Sequence, residues 1–81
     1  MITEENLNKL ADFGKEQDGS YSDRWQFKIV PVNHRRTIWD LYLCGENGNE
    51  MTLVKRLYSM EDLEEFYYIL SDPKQELEYK N

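Results

Sequence analysis

Cysteine appears once, at Cys44, so no internal disulfide can staple this chain. Histidine also appears once, at His34. One His and one Cys are too few for a zinc site of the usual ligand set, and no metal or other cofactor is expected. There is no glycine-rich phosphate loop, because Gly45 and Gly48 fall within a hairpin signal. No apolar run approaches the roughly 20 residues that span a bilayer. An apolar leader and an N-glycosylation triplet are both missing, so a reducing, cytoplasmic setting is expected, with no membrane contact. Internal repeats and low-complexity tracts are absent as well.

What remains is enough for one core. The 81 residues are 40% hydrophobic and 14% aromatic, which argues against disorder. A chain of this size buries only a little over roughly 60% of the surface its unfolded form exposes, so large side chains must carry the core. The net charge of −6 is unevenly spread. Residues 1–23 hold six acids and two lysines, a net of −4. Residues 24–58 hold six cations and three acids, a net of +3. Residues 59–81 hold seven acids and two lysines, a net of −5. Two acidic ends flank a basic middle.

"ITEENLNKLADFG" reads as a helix. Thr3 is its cap, and Ile2 and Leu7 have the spacing of a hydrophobic staple. Leu7, Leu10, Ala11 and Gly14 form its stripe. "EQDGSYSD" follows as a polar loop. "RWQFKIV" alternates as a strand, with Trp25, Phe27 and Ile29 on one face. "TIWDLYLC" and "EMTLVKRLY" are two further strands, joined through "GENGN". A two-residue Asn-Gly loop would pair Asp40 with Lys55 but set Trp39 opposite Arg56. A three-residue loop with a bulge pairs Leu43 with Met51 and Leu41 with Leu53. That register gathers Trp39, Leu41, Leu43, Met51, Leu53 and Leu57 on one face, so burial favours it, with Lys55 at the apolar margin. "YSMEDLEEFYYILSDP" is a second helix with a capping-box-like "SMED" and a stripe of Leu63, Phe66, Tyr67 and Leu70.

The expected fold is a single α+β domain over residues 1–81. It is a three-stranded antiparallel β-meander with an N-terminal and a C-terminal helix packed on one face, in the order α-β-β-β-α. Residues 73–81 would add a short terminal helix or a frayed tail. The open face of the sheet would show Gln26, Lys28, Asp40, Tyr42, Thr52, Val54, Arg56 and Tyr58.

Enzyme chemistry finds no foothold. His34 and Cys44 lie near opposite ends of one strand, too far apart for a nucleophile–base pair. The carboxylates of "MEDLEEF" sit on a solvated helix face rather than in a pocket that shifts their pKa. Two binding surfaces stand out instead. The second helix offers Glu61, Asp62, Glu64, Glu65 and Tyr68, an aromatic anchor ringed by carboxylates. The turn "PVNHRRT" and the sheet offer Lys28, His34, Arg35, Arg36 and Arg56. With Tyr42 and Tyr58, the second set describes a nucleic-acid-binding face. A sequence pI of about 4.7 opposes direct nucleic-acid binding.

In size, in its "LCGENGNEM" hairpin and in its acidic "MEDLEEFYYIL" helix, the chain resembles the small acidic inhibitors of phages and mobile elements. Some of these are anti-CRISPR proteins that block Cas9. The resemblance implies a non-enzymatic inhibitor or modulator acting in the host cytoplasm on a basic nucleic-acid-handling protein. The basic middle departs from a uniformly acidic DNA mimic. The alternatives are a small RNA- or DNA-binding module, and an adaptor or structural subunit. Monomer and homodimer both stay open.

Overall fold

The computed structural model describes residues 1–23, 26–45 and 50–80. Its elements are α1 (Glu4–Asn8), β1 (Gly14–Lys15), β2 (Tyr21–Ser22), β3 (Phe27–Pro31), β4 (Trp39–Cys44), β5 (Met51–Leu57) and α2 (Met60–Leu70). The five strands form one antiparallel sheet in the order β1-β2-β3-β4-β5. The α+β class holds, but the sheet has five strands rather than three.

The first helix is much shorter than its sequence pattern. Thr3 caps it by accepting from the Asn6 N–H at 3.2 Å. Ile2 and Leu7 are both fully buried, as a staple requires. The helix then stops because another segment takes over its backbone. Ala11 N–H donates to the Glu78 carbonyl at 2.8 Å, and Lys80 N–H donates to the Lys9 carbonyl at 2.7 Å. Leu10 bridges Tyr79. The predicted stripe holds at Leu7 and Leu10, both buried, and fails beyond them: Ala11 and Gly14 are exposed, whereas Phe13 is buried with its ring 5.7 Å from Tyr67.

The segment expected as a loop is a hairpin. Asp18-Gly19 turns it, with Gly19 at φ 88°, a conformation that glycine reaches without strain. Asp18 accepts from the Ser20 N–H at 2.9 Å and from its hydroxyl at 2.6 Å. The hairpin brings Tyr21 into the core opposite Ile29.

On β3 and β4, Ile29 faces Leu41 and Pro31 faces Trp39. Tyr21, Phe27, Ile29, Trp39, Leu41 and Leu57 build the buried face of the sheet. Leu63 and Tyr67 of α2 are buried in the same cluster. Trp25 and residues 46–49, including Asn47-Gly48, lie outside the described residues.

The β4–β5 register matches neither sequence reading throughout. Next to the hairpin Cys44 faces Met51 and Tyr42 faces Leu53, the two-residue register. A bulge between Leu41 and Tyr42 then admits Val54 as an extra residue, so that Lys55 faces Leu41, Arg56 faces Asp40 and Leu57 faces Trp39. The expected pairs Leu43–Met51 and Leu41–Leu53 are therefore wrong. The bulge solves the burial conflict in mid-strand instead of at the turn. It delivers Leu57 to the core and leaves Leu43, Met51 and Leu53 at 36%, 47% and 53% exposure. Leu53 shares the open face with Tyr42, whereas Val54 packs against the core, the reverse of their expected sides.

Ser59 caps α2, accepting from the Asp62 N–H at 3.2 Å. Asp62 reaches back to the Tyr58 N–H at 3.0 Å, one residue before the cap. No final helical turn follows Pro73: residues 74–78 have no regular structure, Tyr79 is in the bridge to Leu10, and Leu77 packs against the core. The expected frayed end is held by the hydrogen bonds at Ala11 and Lys80 described above.

Candidate functional site

The acidic face of α2 rests on its cap. The Ser59 cap and the first-turn carboxylates of Glu61 and Asp62 complement the positive end of the helix dipole. From there the sequence-predicted set divides. Glu61, Glu64 and Glu65 are exposed, and Tyr68 is 45% exposed. Asp62 is half-buried and turned toward the Tyr58 N–H and the Lys55 ammonium, 3.9 Å away.

Two residues from the C-terminal segment take its place. Glu61, Glu64, Glu65, Tyr68, Glu76 and Leu77 line a shallow groove of about 470 Å³. Tyr79 donates its hydroxyl to Glu64 at 2.8 Å and so fixes that carboxylate. Partial burial first, and the Glu64 hydrogen bond and charge second, push the Tyr79 phenol up to about 12. The Lys74 ammonium stands 5.8 Å from the centre of the Tyr68 ring, within cation–π range. Glu76, Leu77 and Tyr79 carried no signal in the sequence, because the return of the C-terminal segment across α2 is a tertiary event.

The basic set is not gathered into one patch. Lys28 and Arg56 both lie on the open face, on strands either side of β4. Each answers a carboxylate. Lys28 is 3.5 Å from Asp18, whose carboxyl is held down to about 2 by the Ser20 hydroxyl and N–H, with Lys28 adding to the effect. Arg56 Nε donates to Asp40 at 3.0 Å, and Asp40 is only 6% exposed. The Asp40 hydrogen bond and charge push the Arg56 guanidinium further up.

Arg36 belongs to the scaffold. It adopts φ 56°, a left-handed conformation uncommon for a side chain of this size. Its guanidinium donates to the Gly19 carbonyl, lies 2.9 Å from Glu4 and stands 5.2 Å over the Trp39 ring. Lys15 approaches the same Glu4 oxygen at 3.0 Å. The Lys15 hydrogen bond first, then the Arg36 charge, hold the Glu4 carboxyl below its usual range. The Trp39 indole N–H is shared between the Ile2 and Arg36 carbonyls, each at 3.1 Å. Only His34 and Arg35 of the basic set stand exposed in the β3–β4 turn without an ion pair among the described residues. Asn33 shapes that turn by accepting from Thr37 and Ile38 N–H groups at 2.9 and 3.1 Å.

Cys44 is half-buried, and burial pushes its thiol up, which disfavours the reactive thiolate. Among the described residues no cluster of three or more His, Cys, Asp or Glu could hold a metal ion. No helix among them is long and apolar enough to cross a membrane. No protein-family model, curated protein or solved structure matches this chain.

Proposed function

We propose that this chain is a non-enzymatic inhibitor or modulator that lays the acidic face of α2 on a basic nucleic-acid-handling protein. One contrast carries the reading. Lys28, Arg36 and Arg56 are each neutralised by a carboxylate of the same chain. Glu61, Glu64, Glu65 and Glu76 have no ion pair among the described residues and converge on one groove beside Tyr68. The surplus charge available to a partner is therefore negative, and an exposed aromatic stands at its centre. Such a surface steers a basic partner and anchors it. A cytoplasmic partner of this kind agrees with the resemblance drawn from the sequence.

The competing reading, a small RNA- or DNA-binding module on the open sheet, has less support. Its two sheet cations already hold Asp18 and Asp40, and phosphate would have to displace them. Pull-down on the immobilised chain tests the choice. A basic nucleic-acid-handling protein should be recovered, and Glu64→Lys with Glu65→Lys should release it as salt does. Tyr68→Ala should weaken binding by on the order of 2 kcal/mol. If those variants bind unchanged, while Arg35→Glu abolishes a shift of labelled single-stranded nucleic acid, the acidic-face reading fails.

A further inference from the structure

At the C-terminal end of α2 a second cavity, of about 370 Å³, lies between that helix, Asp12 after α1 and Asp23 after β2. It shares no lining residue with the acidic groove. Asp12, Asp23 and Asp72 give its wall three carboxylates, and no described cationic side chain lines it. Asp23 serves the fold, accepting from the Gln26 and Phe27 N–H groups at 2.9 Å each. Asp12 and Asp72 are exposed and make no ion pair among the described residues. Lys74, close by in the chain, stands against the Tyr68 ring instead. α2 also ends here with no basic residue in its last turn, so the negative end of its dipole adds to the same field.

Tyr67 lines the cavity from within the core. It is 4% exposed, with its ring 5.7 Å from Phe13 and 5.2 Å from Phe27. Buried tyrosine hydroxyls usually find a partner. Tyr21 donates to Asn8 at 2.6 Å, and Tyr79 to Glu64 at 2.8 Å. The Tyr67 hydroxyl makes no hydrogen bond among the described residues. Burial first, then the charges of Asp23, Asp12 and Glu78, push its phenol up, so it stays protonated. Two of those carboxylates belong to the cavity wall, which puts the hydroxyl end of the ring there.

Such a wall selects a cation with several separated donors. A compact metal ion does not fit, because among the described residues no three His, Cys, Asp or Glu side chains converge to hold one. A guanidinium fits: it is planar, always charged, and spreads five N–H donors over a fork. We propose that this cavity binds a guanidinium group, carried by a small molecule or by an arginine side chain. Asp12 and Asp72 balance its charge, and the Tyr67 oxygen accepts one of its N–H groups. The proposal does not rest on the acidic-face reading, whose groove is built from other residues.

Two-dimensional NMR of the whole chain, titrated with N-acetyl-arginine amide, tests it. Saturable shifts are expected at the Asp12, Ser71 and Gln75 amides, with a Kd on the order of 1 mM. N-acetyl-citrulline amide has nearly the same shape without the charge and should not bind. The lysine analogue should bind about fivefold more weakly, because its compact ammonium lacks the fork. Tyr67→Phe removes only an unpartnered hydroxyl, so the chain should fold as before and bind the probe about tenfold more weakly. Asp12→Asn, at an exposed position, should act in the same direction. Tyr68→Ala, on the groove, should bind the probe as the parent does. A short peptide with one central arginine separates the sources: tighter binding than the free amide assigns the site to a polypeptide, equal or weaker binding to a small molecule. Shifts that never saturate overturn the proposal. So does a citrulline or lysine analogue that binds as well, or parent-like affinity in both Tyr67→Phe and Asp12→Asn.

Discussion

Arg36 stands in the sequence beside His34 and Arg35 as one of three basic neighbours, and the fold uses it differently. The two neighbours face solvent, whereas Arg36 turns inward, at a left-handed backbone angle, to cover Trp39 and hold the Gly19 carbonyl and Glu4. Nothing local distinguishes Arg35 from Arg36, so this division was not legible in the sequence. Gly19 carries the other half of the contact. A Cβ there would lie 2.9 Å from the Arg36 guanidinium, and its φ of 88° already disfavours any side chain. Gly19→Ala should therefore destabilise the fold by about 2 kcal/mol. Gly14→Ala, where a Cβ meets nothing within 4 Å, should stay within about 0.5 kcal/mol of the parent. Paired urea titrations check both. Equal effects would remove Gly19 from its place under Arg36.

At the scale of elements, the legible parts are those with strong local signals. Both helix caps, the α2 stripe and the pairing of strands β3 to β5 follow from periodicity and capping residues. The β1–β2 hairpin is not legible although Asp18-Gly19 is a turn signal, because its strands are two residues long and too short to alternate. The β4–β5 register is not legible from the loop residues, because the bulge at Val54 that sets burial lies in mid-strand. That bulge can be tested by removal. Deleting Val54 leaves Leu53 opposite Tyr42 and Lys55 opposite Leu41 with regular alternation restored. The shortened chain should fold, losing only the partial burial of one valine, about 1 to 2 kcal/mol. Thermal unfolding with two-dimensional NMR of the β4 amides checks it. A chain that fails to fold would show that the bulge does more than set the register.

For the whole molecule, the charge layout is legible in the residues but its settlement is not. Acidic ends and a basic middle are plain in composition, yet which charges neutralise one another depends on contacts such as Glu4–Arg36 and Asp40–Arg56. The candidate site was legible to the same degree. Glu61, Glu64, Glu65 and Tyr68 follow from helical spacing, whereas Glu76, Leu77 and Tyr79 arrive from a segment with no regular structure before its bridge. Hydrogen exchange should find the Ala11 and Lys80 amides protected to a level comparable with the central strands, since both donate to carbonyls across the molecule. Exchange at the rate of an open coil would detach the tail from α1 and with it one wall of the groove.

The bridge from Leu10 to Tyr79 also bears on how the molecule is made. It joins segments far apart in the chain through two backbone hydrogen bonds of 2.8 and 2.7 Å. During synthesis, residues 9 to 11 therefore wait without their backbone partners until residues 78 to 80 have left the ribosome. The groove on α2 takes Glu76 and Leu77 from the segment this bridge holds, so its shape depends on a pairing of long sequence separation, a kind that forms more slowly than local contacts.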